Sequence, residues 1–109
     1  MNYIIMPGLK FREGVPVGIK PEKVVNAVCE YFDITTKMLF GKSRERHICE
    51  PRHIAMYVIR KHCKKGTIFI GNMFGRDHTS VCHACQVINN KLDTEPAFKQ
   101  ELQQVFSNI

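Results

Sequence analysis

The sequence predicts an all-α fold, a helical bundle preceded by an extended N-terminal arm. After residue 20, apolar residues recur every three or four positions, which is the spacing of one helix face. The chain has no strand–helix alternation, internal repeat or low-complexity run. Its 109 residues suit one domain, which we place at residues 21–109, after an arm of residues 1–20.

The arm differs in texture from the rest of the chain. Proline and glycine interrupt it every few residues, at Pro7, Gly8, Gly14, Pro16 and Gly18. This pattern favours an extended segment or a loose hairpin over a helix. The apolar run at residues 3–6 could pair with a partner or a second copy, although such arms more often pack on their own domain.

The first helix is predicted to begin at Pro21. Proline suits the first helical position, and the acidic Glu22 suits the positive end of the helix dipole. Its apolar face follows at helical spacing, at Val24, Val25, Val28 and Phe32. Thr35 or Thr36 could cap a second, short helix that Gly41 ends.

Residues 41–47 contain no apolar side chain and are interpreted as an exposed basic loop. Pro51 is predicted to start the next helix, whose inward face is Ile54, Ala55, Val58 and Ile59. The basic side chains of this helix are expected largely on its other faces, among them Arg52, His53 and Arg60.

The next two helices are predicted to form a helix-turn-helix. Thr67 can cap a short helix that ends at Gly75, and Asp77 is a strong N-cap for the longer helix that follows. That longer helix carries the apolar stripe Val81, Ala84 or Cys85, Ile88 and Leu92. Thr94-Glu95-Pro96 starts a last helix with an inward face of Phe98, Leu102, Val105 and Phe106.

Charge is concentrated in one quarter of the chain. Residues 41–65 hold eight basic and two acidic side chains, which equals the whole net charge of +6, and the remaining acids and bases cancel. This concentration favours a polyanionic partner such as nucleic acid. A solvated basic face, an acidic protein and a membrane surface are the alternatives.

The start of the longer helix offers polar groups that could read a DNA groove: Arg76, Asp77, His78, Thr79 and Ser80. In a helix-turn-helix, the N-terminal residues of the second helix contact base edges in the major groove. Arginine can donate to guanine or phosphate, aspartate can accept from cytosine, and threonine offers a methyl group to thymine. A capped helix without any DNA contact is the simpler alternative.

Three ordered segments resemble the C-terminal DNA-binding domain of the bacterial replication initiator DnaA. They are GKSRER at 41–46, PRHIAMY at 51–57 and IGNMFGRDHTSVCHA at 70–84. The similarity runs from about Lys20 to the C-terminus and implies a Trp-repressor-like helix-turn-helix. Three departures stand out: the family usually has an extra glycine between Phe74 and Arg76, His53 replaces a common glutamine, and Glu50 adds an acid near the side that would face the DNA backbone.

The resemblance implies a role for each matching position. Arg44 would enter the minor groove, with Lys42 and Arg46 near phosphates. Asp77, His78 and Thr79 would contact bases in the major groove. The positions expected to hold the DNA backbone are Arg52, His53, Arg60, Arg76 and Ser80.

The implied function is sequence-specific binding of double-stranded DNA at a DnaA-box-like site, in replication initiation or its regulation. The sequence has no G-x-x-x-x-G-K-[ST] phosphate loop, so we expect no ATPase activity and no cofactor. Because residues 1–19 begin at Met1 and lie outside the resemblance, we expect a stand-alone binder over an excised domain. It would act as a monomer on DNA, in the cytoplasm with the nucleoid, and could compete with a full-length initiator.

Other classes of function remain as alternatives. Cys82 and Cys85 offer metal-ligand types, together with the nearby His78, His62 and Cys63. Structural zinc needs four converging ligands, however, and the cysteine pair falls within one predicted helix. No nucleophile signature indicates an enzyme. A helical protein–protein adaptor or a transcription regulator on the same scaffold is the main alternative. No apolar run reaches the length of a membrane span.

Overall fold

The computed structural model describes residues 19–107, and every regular element in this range is a helix. The helices are α1 (Pro21–Phe32), α2 (Thr36–Phe40), α3 (Arg46–His62), α4 (Thr67–Phe74), α5 (His78–Thr94) and α6 (Pro96–Val105). The predicted all-α fold is confirmed for this part of the chain. The predicted N-terminal arm falls almost entirely on residues 1–18 and lies outside the described residues. Within the described range, no helix is long and apolar enough to cross a membrane.

Helix α3 lies at the centre of the bundle and packs against α1, α2, α4 and α5. Its Ile54, Tyr57 and Ile59 side chains are fully buried. Buried apolar stripes on the other helices face this core: Val24, Val25 and Val28; Val81, Ala84, Cys85, Ile88 and Leu92; Phe98, Leu102 and Val105. Each large apolar side chain removed from water contributes about 1.5–3 kcal/mol. Helix α3 supplies more buried residues than any other described helix.

Helix α3 begins at Arg46, and the predicted start at Pro51 is wrong. Proline favours the first helical position, but here it occupies the sixth. There it removes one backbone hydrogen bond, the bond to the His47 carbonyl. The added turn buries Ile48, which is only 4% exposed, and this burial offsets the lost bond. The basic loop is consequently shorter than predicted and spans residues 41–45.

The turn between α4 and α5 depends on two glycines. Gly75 ends α4 with a φ of 68°, a conformation that glycine adopts without steric cost. A Cβ on Gly71 would lie 2.5 Å from the carbonyl oxygen of Arg76, so only glycine lets the turn approach α4 this closely. The N-cap of α4 is Gly66 and not the predicted Thr67, because the Gly66 carbonyl already accepts the first helical hydrogen bond. The predicted helix-turn-helix is therefore present and tightly closed.

Candidate nucleic-acid interface

A cleft of about 620 Å³ lies beside the basic loop, the α4–α5 turn and the first turns of α5. The side chains that line it come from four segments: Lys42, Ser43, Arg44, Cys49, Arg52, His53, Met56, Arg76, Asp77, Thr79, Ser80 and His83. Residues 42–44 and 76–80 are distant in the sequence. The fold thus brings the two main groups of predicted DNA-contacting residues to one cleft.

Asp77 caps the N-terminus of α5, as predicted. Its Oδ1 accepts a hydrogen bond of 2.9 Å from the Ser80 backbone N–H. Hydrogen bonds from the backbone and hydroxyl of Ser80 lower the pKa of the Asp77 carboxyl below its usual value. The carboxylate therefore stays ionised and can accept hydrogen bonds from DNA with its remaining lone pairs.

The first three residues of α5 are exposed to solvent. His78, Thr79 and Ser80 are all exposed, whereas Val81, the next residue, is completely buried. Thr79 and Ser80 face the cleft, and His78 lies outside its lining. This arrangement presents three polar side chains on a helix that the core holds from its second turn.

Arg76 is half-buried and connects the turn to the basic loop. Its Nη1 donates to the Phe74 carbonyl at 2.8 Å, and its Nη2 donates to the Gly41 carbonyl at 2.7 Å. Burial is the main cause that lowers the pKa of Arg76, and Arg52 adds to it. Arg76 therefore sets the position of the loop relative to α5, in addition to facing the cleft.

Arg52 is placed differently from the prediction, which put it on an outer face of α3. The residue is 3% exposed. Its guanidinium donates to three backbone carbonyls, those of Leu39 at 2.7 Å, Ser43 at 2.8 Å and Met38 at 3.2 Å. Two of these carbonyls lie at the C-terminus of α2, where a cation is favoured by the helix dipole. Arg52 thus supports α2 and the basic loop with three of its donors, while it also lines the cleft.

The loop that Arg52 supports carries Lys42 and Arg44, which are both exposed. Arg46 lies just beyond, in the first turn of α3, with a side chain that is 88% exposed. Its Nε is 3.7 Å from Oε1 of Glu50, whose other carboxylate oxygen lies 2.7 Å from Nζ of Lys91. Glu50 therefore pairs with two cations, Arg46 and Lys91.

Arg60 is exposed near the C-terminal end of α3 and lies outside the cleft. Its Nη1 is 4.0 Å from Sγ of Cys82 on α5. Because Cys82 is four residues after His78, it lies on the same side of the helix. Arg60 thus lies beside the first turns of α5 and outside the lining of the cleft.

His83 is a cleft residue that the sequence argument missed. Its ring centroid is 6.5 Å from that of His53, with the two rings nearly perpendicular at 87°. The signal was present, since His83 follows Thr79 by four positions and must share its helix face. The prediction stopped at the first turn of α5 because base contacts in this motif concentrate there.

All five cysteines are free thiols. Cys85 is buried in the core, whereas Cys82 is exposed, so the two point to different environments. Between residues 19 and 107, no group of three or more histidine, cysteine or acidic side chains is arranged to hold a metal ion.

Comparison with known proteins identifies the family. The family described as the bacterial DnaA protein helix-turn-helix matches residues 21–88. Proteins named chromosomal replication initiator protein DnaA match from Levilactobacillus brevis, with 40% identity over 80 residues, and from Roseiflexus castenholzii, with 33% identity over 85 residues. A third, from Bacteroides fragilis, is 31% identical over 85 residues. These alignments cover 72%, 77% and 77% of this chain, but 18% of the length of each relative.

The family match spans α1 to α4 and most of α5, and thus includes the basic loop, the turn and the cleft between them. The chain therefore belongs to the family of bacterial DnaA helix-turn-helix domains, which bind DNA.

Proposed function

We propose that this domain reads a specific duplex sequence with two elements at once. The N-terminus of α5 enters the major groove, where Asp77, His78 and Thr79 contact bases. The loop at residues 42–45 enters the adjacent minor groove with Arg44. The observation that carries the proposal is the shared cleft, because loop and helix must lie side by side to reach neighbouring grooves.

The remaining polar residues around the cleft would position the domain on the DNA backbone. Lys42, Arg46 and Arg60 offer exposed cations for phosphates, and Ser80 offers a hydroxyl group. Arg76 has free donors beside the two that it spends on backbone carbonyls. Arg52 supports the loop with three of its donors, and a direct contact of Arg52 with the DNA backbone stays a prediction.

We place the function in replication initiation or its regulation, in keeping with the names of the relatives. The domain would act in the cytoplasm, on the nucleoid, as a monomer on each site. A DnaA-box-like target would let it compete with a full-length initiator for the same sites. We expect the target sequence to differ from the family's usual box, because the α4–α5 turn lacks the family's extra glycine and this would rotate α5 slightly.

Selection from random duplexes tests the proposal directly. Enrichment of one sequence motif would support base reading by α5 and Arg44 and would give the target. Failure to enrich any duplex would contradict it and favour a protein–protein adaptor. The exposed apolar residues Ile68 and Phe69 on α4 are the observation that favours this second candidate.

Binding should weaken steeply with salt. If about six phosphates are neutralised, log K should fall against log salt with a slope of about −5, because each contact releases a condensed counterion. The measurement is fluorescence anisotropy on a labelled duplex across a range of salt concentrations. A slope near zero would exclude nucleic acid as the main partner.

Binding should not depend on nucleotide. The chain has no phosphate-binding loop, so ATP should neither change the affinity for the duplex nor be hydrolysed. The measurement is duplex affinity with and without ATP, together with release of inorganic phosphate. Phosphate release that disappears in a point variant of this chain would contradict the expectation.

A further inference from the structure

Two histidines meet in the cleft from different helices. His53 of α3 is half-buried and His83 of α5 is exposed, and their ring centroids lie 6.5 Å apart. Ser80 lines the same cleft and shares a helix face with His83, three residues on. The three side chains form a small group of hydrogen-bonding atoms on the wall of the proposed DNA site.

The surroundings of this pair are rich in positive charge. Burial is the largest cause that lowers the pKa of His53. The neighbouring His83, Arg52 and Arg76 lower it further, and Glu50 raises it. On its other side, His53 borders a hollow whose charged lining is Arg46, Glu50, Lys91 and Glu95. In the free domain near neutral pH, His53 is therefore held in its neutral form.

We propose that His53 and His83 form a phosphate subsite of the DNA cleft. This subsite binds a backbone phosphodiester more tightly when an imidazole of the pair is protonated. This inference rests on the proposed DNA-binding function and adds His83 to the contacts. The ligand is one phosphodiester group of the duplex, held with help from the Ser80 hydroxyl.

The chemistry of imidazole gives the reason. A neutral ring donates one hydrogen bond, whereas an imidazolium donates from both nitrogens and adds a charge. A phosphate in the cleft supplies the negative charge that offsets Arg52, Arg76 and the second histidine. DNA binding should therefore draw a proton onto the pair, and by linkage lower pH should strengthen binding. The glutamine common at position 53 in the family cannot titrate, so this property would distinguish the present chain.

The first test is the pH dependence of affinity for a mixed-sequence duplex at constant salt. Between about pH 8 and about pH 6, the affinity of the unchanged domain should rise about three- to tenfold, since one pKa unit gained on binding is worth a factor of ten. His53→Gln should bind at the higher pH but lose most of this rise, and His83→Gln should lose part of it. The matched control is His47→Gln, an exposed histidine of α3 outside this cleft, which should keep the full pH dependence.

The second test follows the histidine rings by NMR, with and without duplex. We expect the pKa of His53 to rise when the duplex binds. Binding that is salt-dependent, with an unchanged pKa of His53 and the same pH dependence in His53→Gln, would overturn the phosphate subsite and leave the proposed function standing. Absence of duplex binding at every pH would instead overturn the proposed function itself.

Discussion

Replacing Arg52 with alanine should lower the free energy of unfolding by about 3 kcal/mol. An exposed arginine would contribute far less, but Arg52 is buried. Its guanidinium satisfies the carbonyls of Met38, Leu39 and Ser43. A buried carbonyl left without a partner costs about 1–3 kcal/mol. For a domain of this size, the loss corresponds to a drop in Tm of roughly 15 °C, which thermal unfolding followed by circular dichroism would measure.

The same variant should weaken DNA binding at temperatures where it is still folded. Arg52 holds the Ser43 carbonyl, so its loss releases the loop that carries Lys42 and Arg44. For stability alone, the matched control is Arg60→Ala, which removes an exposed arginine from the same helix and should change the free energy of unfolding by no more than about 0.5 kcal/mol. Equal unfolding free energies for the Arg52 and Arg60 variants would show that the buried guanidinium does not support the fold.

Alanine at His78 or Thr79 should cost roughly 1–3 kcal/mol of binding free energy on the preferred duplex and relax discrimination at one or two base pairs. Both side chains are exposed in the first turn of α5. Because Val81 anchors the helix behind them, the substitutions should leave the fold intact. Arg44→Ala should relax discrimination at A·T-rich positions, since an arginine in the minor groove senses groove width.

Arg60→Ala provides the contrast for these variants. A phosphate contact is the same at every base pair, so this substitution should weaken all duplexes about equally and reduce the salt slope by about one unit. The measurement is affinity for a preferred and a scrambled duplex, at two salt concentrations, for each variant. If folded His78→Ala and Thr79→Ala domains lose the same affinity on both duplexes, α5 does not read sequence.

The features that sequence predicted well are those set by local chemistry. Asp77 caps α5 because an aspartate just before a helix can accept a hydrogen bond from a free backbone N–H of the first turn. Gly75 ends α4 because few other residues tolerate its φ of 68°. The apolar stripe of α5 follows from helical periodicity alone. Local signals of this kind fixed the order of helices and the place of the helix-turn-helix.

The features that sequence missed depend on packing between distant segments. Pro51 has the local character of a helix start, and only the burial of Ile48 reveals a turn before it. Arginine is typical of a protein surface, and Arg52 is buried here because the carbonyls at the C-terminal end of α2 accept its hydrogen bonds. The partnership of His53 and His83 likewise requires the relative placement of α3 and α5, which a linear pattern does not contain.

The hydrogen bond from Arg76 to the Gly41 carbonyl joins the turn before α5 to the start of the basic loop. It therefore couples the position of the loop to that of the first turn of α5. B-form DNA offers a major groove wide enough for a helix next to a narrow minor groove. Double-stranded RNA has the reverse arrangement, with a deep and narrow major groove that excludes a helix. The proposed binding mode therefore predicts that the domain prefers double-stranded DNA to double-stranded RNA, because the start of α5 fits only the wider groove.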